Sequence, residues 1–187
     1  MPSELASAIV LYPHGARKRV SDFWADKRCL FVFLRHLACP GCSEQISLLS
    51  AHLPELREAG VRIVLVATST PTRIPEFAKR MHLEHAQIDV VTDPTLKAHK
   101  AAALVRSIAS TFGPSSLRST IRLYQDGFHA EKRDPGDGDV LQQGGALLVG
   151  RDGLVLFHHV SRHMTDHMPM RTVCEASRRP HPLAPSP

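Results

Sequence analysis

Cys39-Pro40-Gly41-Cys42 places two thiols one helical turn apart, directly after an apolar run and directly before a helical pattern. A C-x-x-C pair at a strand-to-helix junction is a thiol redox motif. The thiolate is the nucleophile, and a helix start lowers a thiol's pKa through its free N–H groups and partial positive charge. Cys39 stands just before the helix that begins at Pro40, so it is the expected attacking thiol. Cys42 falls in the first turn, partly covered, where a resolving thiol would sit. Attack by Cys39 on an oxidised substrate, then by Cys42 on the resulting intermediate, would leave a 39–42 disulfide. Arg35 and His36 precede the motif and could add positive charge. Strand alternation sends them to opposite faces, so one of them faces the site, and spacing does not choose between them.

Other residues invite chemical readings and support them less well. Cys29 lies inside the apolar run and reads as packing, as does Cys174 on the last helix. Half a zinc site with His36 as third ligand lacks a second C-x-x-C or a spaced histidine pair. His159, His163 and His167 recur every four residues, but the segment follows a strand and precedes Pro169, so a loop is expected, with Arg162 or Asp166 available to touch a substrate. Asp134, Asp137 and Asp139 have neither the full spacing nor the terminal Glu of a calcium loop. No metal is expected.

The elements that must position the cysteines follow from periodicity. Residues 8–12 and 18–24 flank Pro13-His14-Gly15 as a short hairpin or loop. The run 29–35 is a buried strand. A helix is expected over 40–58, with Ile46, Leu49, Leu53 and Leu56 on one face and Gly60 ending it. Val61–Ala67 is apolar on both faces, as a central parallel strand would be. A short helix at 74–81 turns Phe77 and Met81 inward, and 88–91 is a brief strand. Asp93 and Pro94 are then expected to cap and open a helix over 94–104. This β-α-β-α-β-α order implies parallel pairing with right-handed crossovers. Residues 105–139 break the pattern: 106–123 should form one or two helical turns interrupted at Gly113-Pro114, and 132–139 should be a mobile loop. Residues 146–149 and 154–157 form a hairpin about Asp152-Gly153, and 169–177 a last helix with Val173 and Cys174 inward. The expected organisation is one domain over 1–178 and a disordered proline-rich tail over 179–187.

Composition narrows the classes. The 187 residues carry a formal charge of +5, with 43% apolar and 22% charged residues. The 23 basic residues are scattered rather than gathered into a stripe, so nucleic-acid binding is not expected. The first residues do not read as a signal peptide, and no apolar run approaches membrane length, so neither a leader nor a membrane span is expected. The cytoplasm is the expected compartment, and there a C-x-x-C pair is catalytic or metal-binding more often than structural.

Several stretches taken together carry a resemblance. They are Phe-Leu-Arg-His-Leu-Ala-Cys-Pro-Gly-Cys (33–42), Gly-Val-Arg-Ile-Val-Leu-Val (60–66), Pro-Glu-Phe-Ala (75–78), Val-Thr-Asp-Pro-Thr-Leu-Lys-Ala-His-Lys (91–100) and Gly-Asp-Val-Leu-Gln-Gln-Gly-Gly-Ala-Leu-Leu-Val-Gly (138–150). Over roughly residues 20–175 the chain resembles the AhpC/TSA-related, peroxiredoxin-like family of the thioredoxin superfamily, which includes selenoprotein U-like proteins and prostamide/prostaglandin F synthase. The resemblance implies a thioredoxin-like α/β fold, a mixed central sheet with flanking helices, an N-terminal extension and an insertion around 105–139. It implies thiol-dependent reduction of a peroxide, endoperoxide or disulfide, with Cys39 at the redox-active position. Gln143, Gly144 and Gly145 would stand where thioredoxins carry a cis-proline, and Pro40, Arg35 and His36 would support the site. Electrons would come from thioredoxin or a small thiol, with no bound cofactor. Relatives often pair through exposed edges, which makes a homodimer an expectation without a signature in this chain. The chain lacks the Pro-x-x-x-Thr-x-x-Cys signature of ordinary peroxiredoxins, which weighs against efficient reduction of hydrogen peroxide. Two alternatives accompany this reading. One is reduction of a specialised endoperoxide in a pocket shaped by the insertion. The other is a non-enzymatic metal-binding or redox-sensing module using Cys39, Cys42 and nearby histidines.

Overall fold

A computed structural model describes residues 2–179. The proline-rich tail expected at 179–187 lies outside the described residues, apart from Arg179. Three parallel strands form the centre: β3 (Cys29–Phe33), β4 (Arg62–Ala67) and β5 (Asp89–Thr92). The β3 and β4 sequences are apolar at nearly every position, which suits strands covered on both faces. β1 (Ile9–Leu11) and β2 (Arg17–Arg19) form the expected hairpin and join antiparallel at the β5 side. β6 (Gly145–Val149) and β7 (Val155–Val160) join antiparallel on the β3 side, so one mixed sheet of order β2-β1-β5-β4-β3-β6-β7 results.

Alternate side chains of β3 feed two apolar layers. Leu30 and Val32 pack with α2 (Pro40–Ser50), α3 (Leu53–Glu58), α4 (Ile74–Arg80) and α8 (Met170–Arg178). Cys29, Phe31 and Phe33 pack against the N-terminal helix α1 (Pro2–Ser7), a 3₁₀ turn at Val20–Phe23 and α5 (Lys97–Ala101). Each large apolar side chain buried this way stabilises the fold by roughly 1.5–3 kcal/mol. β3 thus enters the core fully covered and delivers its C-terminal end, with the cysteines, to the edge of both layers.

Four local expectations change. The helix over 40–58 divides into α2 and α3. Pro54 has no N–H for the Ser50 carbonyl and its ring crowds that position, yet Ile46, Leu49, Leu53 and Leu56 remain buried across the break. The helix after Asp93 starts at Lys97, not Pro94, because Leu96 adopts a left-handed φ of 57°. The Asp93 carboxylate spans that gap and accepts from the N–H groups of Lys97, Ala98 and His99. The insertion holds α6 (Ile108–Phe112) and α7 (Pro114–Gln125), broken at Gly113-Pro114 as expected, but α7 runs to 12 residues. The 132–139 loop is tethered rather than free. Asp134 and Asp137 pair with Arg73 at 2.9 and 2.8 Å, Asp137 accepts from Leu37 N–H, and Asp139 pairs with Arg106. Those acids, read against a calcium loop, are thus engaged by arginines. Among the described residues no helix is long and apolar enough to cross a membrane.

Candidate active site

Cys39 is the N-cap of α2, in extended backbone at φ −79°, ψ 121°, with Pro40 opening the helix. Proline suits that position because its fixed φ is helical and the N–H it lacks would have been unpaired. Cys39 and Cys42 are free thiols and nearly withdrawn from solvent, 1% and 6% exposed.

Regular strand geometry ends at Phe33, so alternation does not decide between Arg35 and His36. The fold does. The Arg35 guanidinium, itself 4% exposed, donates through Nε to the Gln142 carbonyl at 3.3 Å and through Nη2 to the Val140 carbonyl at 2.9 Å and Thr111 Oγ1 at 3.2 Å. Its Nη1 faces Cys39 Sγ at 3.9 Å. All its oxygen partners are neutral, and among the described residues no carboxylate makes an ion pair with it. A buried cation needs a countercharge, and the Cys39 sulfur is the ionisable group that faces this one. His36 sits apart: burial first, and the Arg35 charge second, lower its pKa to about 4, so at neutral pH it is uncharged. Its Nδ1 has no hydrogen-bond partner.

The environments of the two sulfurs push them in opposite directions. A hydrogen bond from the Cys42 thiol lowers the Cys39 pKa. Burial opposes this, and the Cys42 bond together with Arg35 and the amides of Cys42 and Gly41 outweighs it, bringing the Cys39 pKa down to about 6. No α2 amide makes a full capping bond to the Cys39 side chain, so those amides act through proximity. Cys42 is pushed well up, first by its bond to Cys39, then by burial and the Cys39 charge. Titratable pairs driven apart in this way mark an acid and a nucleophile.

Gly144 and Gly145 flank this centre. A Cβ on Gly144 would lie 2.6 Å from the Phe33 carbonyl oxygen, and one on Gly145 2.5 Å from that of His159. The absence of side chains there lets this segment run against the end of β3. Gln143 is fully buried and donates to Thr111 Oγ1 at 3.0 Å and the Leu141 carbonyl at 3.2 Å, fastening the segment to the insertion. Arg35, Cys42, Gln45, Gly144 and Gly145 line a cavity of about 20 Å³, room for about one water. Cys42, not Cys39, faces it.

Sequence reading missed the groups that hold α2 in place. Glu44, 7% exposed, receives both Arg122 terminal nitrogens at 2.9 and 2.8 Å and lies against His167 Nε2. Gln45 accepts from Met168 N–H at 3.1 Å. A Cβ on Gly41 would land on the Met164 carbonyl oxygen. Segment 161–169 and α7 therefore press on the first turns of α2. The histidines separate accordingly: His158 meets the Ala102 carbonyl, His159 that of Asp166, His163 the Thr165 hydroxyl and His167 Glu44. Arg162 and Asp166 bond to each other across this loop. Glu44 and its partners are 78 and 123 residues apart in sequence, so no local pattern announces them.

A central β-α-β unit that presents a C-x-x-C pair at a helix start, with a late antiparallel hairpin beside it, is a thioredoxin-like fold. The chain belongs to the AhpC/TSA antioxidant enzyme family, which it matches over residues 48–163. That stretch begins after Cys42, so it carries the scaffold and not the thiols. The chain is 27% identical to Peroxiredoxin-like 2C of Mus musculus over 94% of its own length and 79% of the relative's. It is 26% identical to Prostamide/prostaglandin F synthase of Salmo salar, over 87% and 80%. Among solved structures, Peroxiredoxin Q of Xanthomonas campestris superposes with a TM-score of 0.63 at 15% identity, covering 95% of this chain and 94% of that one.

Proposed function

We propose that this chain is a thiol-dependent oxidoreductase in which Cys39 attacks and Cys42 resolves. The observation that carries the reading is the buried Arg35, which among the described residues pairs with no carboxylate and faces the Cys39 sulfur at 3.9 Å. The Cys39 thiolate attacks one oxygen of a peroxide. An S–O bond forms, the O–O bond breaks, and the leaving oxygen departs as an alcohol or water after taking a proton. Cys42 then gives up its proton and attacks the Cys39 sulfenic sulfur; the S–O bond breaks, water leaves and the 39–42 disulfide forms. Two electrons from thioredoxin or a small thiol restore both thiols, so the cycle needs no bound cofactor. The cytoplasm supplies such reductants and is the compartment this chemistry fits. Because both sulfurs are nearly covered, an oxidant reaches Cys39 only when its cover yields.

Stoichiometric peroxide is expected to consume two thiols per chain, with peptide mapping showing a 39–42 link. Cys39→Ser should abolish turnover with a thioredoxin system. If thiol titration finds no fast-reacting cysteine, the proposal fails. Reduction of a lipid-derived endoperoxide is the second reading, favoured by the Salmo salar relative. Comparing hydrogen peroxide, alkyl hydroperoxides and an endoperoxide by thiol consumption separates the two.

A further inference from the structure

Residues 91–100 take no part in the reaction as written, yet they hold an acid and a histidine that are both fully buried, Asp93 and His99. Asp93 Oδ1 accepts from Thr95 Oγ1 at 3.0 Å and Lys97 N–H at 3.1 Å. Oδ2 accepts from the N–H groups of Ala98 at 2.7 Å and His99 at 3.0 Å, and lies 3.0 Å from the His99 Nδ1. A carboxyl group ringed by donors is ionised. Nδ1 must then carry a proton to meet it. On the other side of the ring, Nε2 stands 3.2 Å from the Leu34 carbonyl oxygen, which can only accept. Nε2 therefore carries a proton as well. An imidazole with two N–H groups is a cation, here paired with Asp93 and packed 5.1 Å from the Phe33 ring.

The Leu34 carbonyl belongs to the peptide group whose N–H is that of Arg35, and that N–H donates to Cys42 Sγ at 3.3 Å. One peptide unit thus joins the buried ion pair to the second sulfur. A charged donor on a carbonyl polarises the peptide, and hydrogen bonds in series strengthen one another where the dielectric is low. We infer that the His99–Asp93 pair is a positioning device that acts through the Leu34–Arg35 peptide to favour the Cys42 thiolate. This rests on Cys42 being the resolving thiol. The pair accelerates the step in which the Cys42 sulfur forms the S–S bond as the Cys39 S–O bond breaks and water leaves. It consumes nothing itself and touches no substrate.

Two measurements decide the inference. In nitrogen-15-labelled wild-type protein at mildly alkaline pH, His99 should show protons on both ring nitrogens; a single protonated nitrogen overturns it. His99→Gln keeps a donor for the Leu34 carbonyl and removes the charge. In a Cys39→Ser background it should move the alkylation midpoint of Cys42 upward by about one pH unit, which is about tenfold less thiolate at a given pH. An unmoved midpoint overturns the relay even if the ring is cationic, and the ring-proton measurement stands should the variant not fold. Absence of a 39–42 disulfide after peroxide would overturn the oxidoreductase reading and with it the accelerated step, whereas the effect of the pair on the Cys42 thiolate is decided by the two measurements above, neither of which uses peroxide.

Discussion

Cys29 and Cys39 stand at the two ends of the passage from β3 to α2, and both are withdrawn from water, at 0% and 1% exposure. Burial alone would make them alike, two inert sulfurs with raised pKa values. Cys29 behaves that way: desolvation pushes its thiol well up, and the basic group that opposes it most, Arg62, is itself engaged with Asp26 and the Phe23 carbonyl. Cys39 goes the other way because a hydrogen bond from Cys42, a guanidinium that pairs with no carboxylate among the described residues, and a helix start outweigh the same desolvation. Hiding a thiol does not silence it; hiding it without a countercharge does.

The strongest way to break this contrast is Arg35→Met. Removing an opposite charge beside an ionised group shifts its pKa by about one to three units, so from a starting pKa of about 6 Cys39 alkylation at neutral pH should fall by about 2- to 100-fold. A rate that stays near wild type would mean that Arg35 is only a tether for the Val140 and Gln142 carbonyls.

The pH dependence sharpens the point. The folded pKa of Cys39 is depressed, so its contribution to stability is absent below that folded value and grows as pH rises toward the ordinary thiol range. Urea midpoints of reduced wild type against Cys39→Ser should therefore diverge in favour of wild type as pH increases. Cys29→Ser should show no such gain, since a raised pKa has the opposite sign.

Glu44→Gln separates scaffolding from chemistry. Burial pushes the Glu44 carboxyl up, but hydrogen bonds from Arg122 and His167 hold it below its usual range. The stabilisation is then present above the unfolded carboxyl pKa and lost as pH falls through the folded one. Glu44→Gln should cost about 1–3 kcal/mol near neutral pH and less in acid, by urea denaturation, while the pH midpoint of Cys39 alkylation stays in place. The smallest effect belongs to Cys29→Ala: about 1 kcal/mol of stability, and no change in the number of fast-reacting thiols by titration.

What could be read from sequence follows from how local each cause is. The Cys39–Pro40 helix start was legible because N-cap and N1 preferences act within a few residues, and the β3–β4–β5 core because runs such as Val61–Ala67 leave no polar face. The division of the helix at Pro54 was legible in principle, but an apolar stripe that continues through Leu53 and Leu56 masks it. The late start of α5 was not, since the left-handed turn at Leu96 has no glycine to announce it. Arg35 could not be chosen over His36 because both lie beyond the regular strand, and its partners come from the distant 111–142 region. The Glu44 clamp joins three segments and has no trace in any one of them.

Gly41 carries a consequence for how this molecule can change. The residues between two such cysteines are the natural place for a lineage, or an engineer, to retune a dithiol. Here position 41 lies against the Met164 carbonyl, so any side chain there must first displace a peptide group. Variation at that point would show as a lifted 161–169 segment before it showed as altered redox behaviour. Adaptation is thereby steered away from the motif itself and toward the residues around it.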